Sequence, residues 1–148
     1  MLEQFLTAEM IQLKVEVEDW EGAVRAGGQL LLEGHKCTPG YIDAMVRTVN
    51  EMGPYMVLAP GLALAHARPE DGVHQVGLSL VTLKTPVNFG SAANDPVELV
   101  ISFCAVDHER HVDVLKALAF FLREEDNQRL LREAETIEEV LGAFRIQA

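Results

Sequence analysis

The sequence predicts an α/β domain: a three-layer α/β/α sandwich with a central mixed sheet of four to five strands, spanning residues 1–148 as a single unit. Three observations predict it. Short strand patterns cluster in the middle of the chain, with helical stripes before and after them. Val97 to Val106 is almost continuously apolar, as expected of a strand covered on both faces. Repeats, low-complexity tracts and linker-like segments are absent from the sequence.

Taken in order, residues 1–10 form a short amphipathic lead-in. Ile11-Gln-Leu-Lys-Val-Glu-Val17 then alternates apolar and polar, which predicts a half-buried strand. Asp19 is placed to cap a helix in which Trp20, Ala23, Val24, Gly27, Leu30 and Leu31 share one face. Gly27 and Gly28 each weaken that helix by roughly 1 kcal/mol relative to alanine, so close packing is the expected reason for them. Gly34 is its expected stop. Thr38-Pro39 opens a second helix, with Tyr41, Met45, Val49 and Met52 as its core stripe and Gly53-Pro54 as its end. Tyr55 to Leu58 and Leu62 to His66 read as short strands around a Pro60-Gly61 turn. Gln75 to Leu83 is a long strand, Pro86 to Gly90 a separate extended piece and Ser91 to Pro96 a loop. Three helices follow. The first is capped by Asp107 and carries the stripe His111, Leu115, Leu118 and Leu122. A charged helix runs from Asp126 to Ala134. The Thr136–Glu139 capping box starts the last, with Val140, Leu141 and Phe144 inward.

Composition bounds the function. The chain is ordinary in its hydrophobic (49%) and charged (24%) fractions, but its formal net charge is −11. That balance argues against nucleic acid or an anionic membrane surface as partner. Cys37 and Cys104 form no CxxC pair and read as reduced thiols, Cys104 buried. No signal-peptide pattern or apolar run of spanning length is present, so a cytoplasmic location is expected.

Chemistry-bearing residues are few. Five histidines are present. His66 ends an apolar strand where Arg68-Pro-Glu-Asp-Gly72 turns the chain, and Ala65 and Ala67 leave its ring open. An open imidazole there suits a nucleophile, an acid/base or a ligand. On local pattern alone, a half-buried histidine bonded to backbone is the plainer account. His111 begins a helix just after the most buried strand. Strand ends and following helix starts are where α/β folds place their sites, so His66 and His111 are expected to approach across a shared rim.

Other chemistries find less support. His108 and His111, three apart, lie on one helix face with Asp107, but no third ligand follows at a known spacing and Asp107 serves better as a cap. No metal and no cofactor is expected. The sequence has no GxSxG, P-loop or dinucleotide fingerprint.

An ordered set of motifs does carry information. Gly61-Leu-Ala-Leu-Ala-His66 resembles the G-[IL]-A-x-P-H motif of enzyme IIA domains of the mannitol/fructose class in the bacterial phosphotransferase system. Tyr41-Ile-Asp-Ala-Met45, Thr82 to Val87, Asp95 to Leu99 and Asp107 to His111 resemble further blocks of that family. Gly53 to Ala63, Arg68 to Val73, Leu80 to Lys84 and Asn94 to Val97 are most similar to the ascorbate-type enzyme IIA.

The resemblance implies a fold of the phosphotransferase/anion transport protein type and a phosphocarrier. His66 would accept a phosphoryl group from phospho-HPr through a tele-phosphohistidine intermediate and pass it to a cognate IIB component. The membrane IIC component would be engaged only indirectly, in uptake of ascorbate or a related sugar acid or pentitol. His111 would stabilise the phosphoryl group. A regulatory paralogue, signalling to a protein partner through the same histidine, is the alternative. An exposed apolar helix face would support a homodimer. The sequence departs from the motif at Ala65, where the family usually has proline. Arg47 is only approximately in register with an arginine of some relatives, and Arg68 is a second candidate phosphate partner on physical grounds.

Overall fold

The computed structural model describes residues 2–146, so the expected extent of the domain, 1–148, includes three positions outside them. Within that range five strands and five α-helices follow the expected order. Two short 3-10 turns, Leu2–Gln4 and Ala8–Met10, lead in and bury Leu2, Leu6 and Met10. Strand β1 (Ile11–Val15) stops before the alternation in the sequence does, at a kink where Lys14 has a positive φ of 58°.

Helix α1 (Trp20–Glu33) is capped by Asp19, whose carboxylate accepts the Gly22 N–H at 2.9 Å. Gly34 caps its end with an ordinary φ of −80°; His35, at +60°, makes the left-handed turn that the sequence assigns to glycine. Thr38 caps helix α2 (Pro39–Met52), whose buried stripe is Tyr41, Met45 and Val49. Met52, expected in that stripe, is 71% exposed at the last position of α2, where it lines an open cavity.

Strands β2 (Val57–Ala59) and β3 (Leu62–Ala65) form the hairpin across Gly61, whose φ of 77° the turn requires. Strand β4 runs unbroken from Gly77 to Val87, taking in Pro86 and Val87 from the piece expected to be separate. A register shift between Thr82 and Val87 lets the proline lie in the strand without interrupting the central ladder. Asp95 then closes the return, accepting the Phe89 and Gly90 N–H groups at 2.9 and 2.8 Å. The nearly all-apolar β5 (Val97–Cys104) follows.

The sheet order is β1-β4-β5-β3-β2. β1 is parallel to β4, β4 antiparallel to β5, β5 parallel to β3, and β3 antiparallel to β2. The mixed sheet and the central position of β5 agree with the expectation from sequence. Helices α1 and α2 cover one face. Helices α3 (His108–Leu122), α4 (Glu125–Glu133) and α5 (Ile137–Ile146) cover the other, with Phe121 of α3 stacked on Phe144 of α5 at 4.3 Å. One continuous apolar core fills both interfaces. Among the described residues no helix is long and apolar enough to cross a membrane.

Paired Ser79 and Ser102 face α1, and so does Ala65, paired with Ser102. These small side chains let α1 approach closely. Ser79 Oγ donates to the Gly27 carbonyl at 2.9 Å, and a Cβ on Gly27 would collide with Ser102 Oγ. The Gly27–Gly28 pair is thus explained by packing, Gly28 lying against Ile42 of α2. Gly27→Ala should cost about 1–2 kcal/mol net in urea or thermal unfolding, since overpacking outweighs alanine's better helix propensity.

Candidate functional site

Strand parity and register build the site. β3 and β5 run parallel, pairing Leu64 with Ile101 and Ala65 with Ser102. Side chains alternate across a sheet, so Leu64 and Ile101 point to the face opposite α1, and the positions two further on, His66 and Phe103, follow them. Past β5 the chain turns through Asp107, whose carboxylate accepts the Arg110 N–H at 2.7 Å and starts α3. His111 therefore lies in the opening turns of α3, above the same rim. The two imidazoles meet with ring centroids 5.5 Å apart.

Phe103 is the floor of the site. Its ring stacks on His66 at 5.1 Å and lies 5.1 Å from His111. Tyr55 presents its ring edge-on to His66 at 5.8 Å, and its hydroxyl donates to the His66 carbonyl at 3.4 Å. A cavity of about 420 Å³ opens in front of the two histidines, between α2 and the 66–71 segment. Arg47, Glu51 and Met52 line one side, Arg68 and Asp71 the other.

The state of each imidazole follows from its surroundings. His66 Nδ1 lies 3.1 Å from the Leu64 carbonyl, an acceptor only, so Nδ1 carries the proton and Nε2 keeps a free lone pair. Burial holds the His66 pKa below the ordinary 6.5; the Leu64 bond opposes this, and His111 adds to the lowering. His111 is lowered by burial and then by His108, with Glu70 acting the other way. Its buried Nδ1 has no hydrogen-bond partner among the described residues. Both rings are therefore neutral at neutral pH, as a nucleophilic imidazole has to be.

The arginines differ. Arg68 is 73% exposed in its side chain and bound to acids: Nη2 lies 3.3 Å from Asp71 and Nε 3.6 Å from Glu70. Burial raises the Asp71 pKa, but hydrogen bonds from the Arg68 backbone and side chain, with the charges of Arg68 and Arg47, bring it below the usual carboxylate value. Arg47 lines the cavity from α2 and makes no ion pair among the described residues. His66, His111, Arg68 and Arg47 are thus brought together around one opening. His108 stacks parallel to His111 at 6.3 Å, yet no three His, Cys, Asp or Glu side chains converge as a metal-binding set among the described residues. Cys37 and Cys104 are both buried free thiols, their pKa values pushed up by burial to about 11 and about 12.

Three site residues lie outside the sequence reading. Phe103 and Tyr41 look like core positions, and Tyr55 like the start of a strand. Tyr41 is fully buried, and its hydroxyl accepts the Ala67 N–H at 2.9 Å while donating to the Phe103 carbonyl at 2.8 Å. No local motif marks such a hydroxyl. The only sequence signal is that a tyrosine, with a polar group to satisfy, occupies a stripe otherwise free of one.

Comparison with known proteins gives consistent results. The sequence model of the family described as "Phosphoenolpyruvate-dependent sugar phosphotransferase system, EIIA 2" matches residues 4–145. The ascorbate-specific PTS system EIIA component of Escherichia coli (strain K12) is 42% identical over 132 residues, 88% of this chain and 86% of that one. The solution structure of the mannitol-specific cryptic phosphotransferase enzyme IIA CmtB from Escherichia coli is similar at TM-score 0.88 and 30% identity, over 96% of each chain. Similarity extends to the complex of enzyme IIAMTL and phosphorylated enzyme IIBMTL from Escherichia coli, at TM-score 0.83 and 28% identity, over 94% of this chain and 96% of that one.

The lowered histidine pKa values set a pH dependence. An unfolded histidine binds a proton near 6.5, whereas folded His66 and His111 resist protonation, so the unfolded state binds more protons as pH falls. The stability present above pH 6.5 is therefore lost progressively below it. Melting temperature should fall from pH 7 toward pH 5, and His66→Ala should flatten that slope in calorimetry.

Proposed function

The chain belongs to the phosphoenolpyruvate-dependent sugar phosphotransferase system EIIA 2 family, and from that premise we propose that it is a phosphocarrier working through His66. It accepts a phosphoryl group from the phosphohistidine of HPr and passes it to a cysteine or histidine of a cognate IIB component. The membrane IIC component is served only through IIB. The observation that carries this reading is the His66 tautomer: Nδ1–H is committed to Leu64, which leaves Nε2 as the nucleophile beside the open cavity.

The chemistry is a transfer between two nitrogens. The Nε2 lone pair forms a bond to phosphorus as the donor's N–P bond breaks, and that electron pair returns to the donor imidazole. Nδ1 keeps its proton, so positive charge develops on the His66 ring, where the Leu64 carbonyl stabilises it. No covalent rearrangement of the protein is needed; positioning and charge compensation suffice. Phe103 and Tyr55 restrict the ring on two sides and favour one direction of approach. His111 lines the cavity beside His66, where a ring N–H can reach a phosphoryl oxygen, and the N-terminal end of α3 adds a favourable partial charge.

Of the two arginines, Arg47 is the better phosphoryl partner. It forms no ion pair among the described residues, whereas Arg68 has to be drawn from Asp71 and Glu70. The 42% identity to an ascorbate-specific component supports ascorbate, or a related sugar acid or pentitol, as the cargo of the system. The site itself never meets the sugar. A soluble phosphoryl donor such as HPr fits a cytoplasmic protein.

Intact-mass spectrometry after incubation with phosphoenolpyruvate, enzyme I and HPr tests the proposal. Wild type should gain one acid-labile phosphoryl group, and His66→Ala none. His111→Ala should be phosphorylated on the order of tenfold to a hundredfold more slowly, as for loss of a charge-stabilising donor. Arg47→Ala should be slowed more than Arg68→Ala. A wild-type chain that stays unmodified by competent donors sinks the reading.

A further inference from the structure

We propose that Tyr41 is a positioning residue for phosphoryl transfer, its buried hydroxyl joining the backbone after His66 to the backbone of Phe103 and so fixing the acceptor imidazole over its floor. This rests on the phosphocarrier reading of His66.

The argument starts where the sheet ends. The β3–β5 ladder has its last register pair at Ala65 and Ser102. One residue on, at His66 and Phe103, the two strands are no longer paired with each other, although β5 still pairs with β4 there, yet these are the positions whose geometry matters. Tyr41 reaches in from the first turn of α2 and supplies the missing link. Its oxygen accepts the Ala67 N–H at 2.9 Å and donates to the Phe103 carbonyl at 2.8 Å. A side chain thereby acts as one more rung between two strands that have just separated.

Each end of that rung touches the site. The Ala67 N–H belongs to the peptide group whose carbonyl is that of His66, and this carbonyl accepts the Tyr55 hydroxyl at 3.4 Å. Two tyrosine hydroxyls therefore hold one peptide plane from opposite sides, and that plane sets the direction in which the His66 ring leaves the backbone. The other end holds Phe103, whose ring is 5.1 Å from both imidazoles. Burial raises the Tyr41 pKa, so the phenol stays protonated and keeps its donor. Phenylalanine would fill the same volume. It would leave a buried N–H and a buried C=O at the site without their partner.

The test compares Tyr41→Phe with Val49→Ala, a buried α2 substitution that removes packing without touching the site. Single-turnover phosphorylation is measured over a range of phospho-HPr concentrations, and the imidazole 15N shifts of His66 are recorded by NMR. For Tyr41→Phe the maximal rate should fall on the order of tenfold to a hundredfold with little change in half-saturating donor concentration, because the reacting atoms are misplaced while docking is intact. The His66 shifts should move toward a mixture of tautomers as the Leu64 bond loosens. Val49→Ala should lose thermal stability yet transfer at a rate within about twofold of wild type, with unchanged shifts.

Tyr41→Phe with wild-type shifts and a rate within twofold overturns the proposal. Should wild type take no phosphoryl group, the carrier reading fails and the 15N shifts alone decide the role of Tyr41. Should Tyr41→Phe not fold, the Tyr55→Phe chain carries Tyr41 as its one remaining tyrosine of two. Replacing it there with 3-fluorotyrosine weakens the oxygen as an acceptor at nearly constant shape. The same two readouts, taken against unlabelled Tyr55→Phe, then decide.

Discussion

The parallel pairing of β3 with β5 is the constraint on which the site depends. It brings the ends of two segments nearly forty positions apart to one rim, with their side-chain alternation in phase. Because β5 is central and covered on both faces, its partner cannot slip by one residue without turning an apolar set the wrong way. A slip would also turn Phe103 away from His66. Packing specificity in the core thus becomes angular specificity at the rim. The small residues Gly27, Ser79, Ser102 and Ala65 contribute from the opposite face by letting α1 press close behind the strands.

Electrostatics at the rim run against the rest of the molecule. The chain carries −11 formal charge, but the opening mixes Arg47 and Arg68 with Glu51 and Asp71 around two neutral imidazoles. Neutrality of the rings comes from burial, with each imidazole disfavouring charge on a neighbour. A phosphoryl group accepted there, as proposed, would meet two arginines in a molecule of otherwise acidic balance.

Much of this was legible in the sequence. The apolar run of β5, the caps at Asp19, Thr38 and Asp107, and the paired glycines each have a local physical cause that a pattern exposes. His66 and His111 were legible as a pair because strand ends and helix starts share a rim. The misreadings have causes that only the folded chain supplies. Met52 fits its helix stripe but sits at the helix end beside an open cavity. Pro86 signals a break, yet a register shift accommodates it. His35 takes a left-handed conformation that sequence assigns to Gly34. Phe103 and Tyr41 look like any apolar residue of strand and helix, since their roles lie in what they touch across the fold. Family resemblance added the expectation of histidine chemistry, which periodicity could not reach.

The sheet order has a last consequence, for folding. β1 finds its partner only after the chain has reached β4, and β3 its parallel partner only after β5, so two of the four strand pairings wait on distant contacts. Neither half of the chain can hold the two imidazoles in register without the other. A partly folded molecule therefore lacks the site altogether, its two histidines solvated and apart. The fraction of competent carriers in a population is then governed by the same margin of cooperativity that keeps the sheet closed.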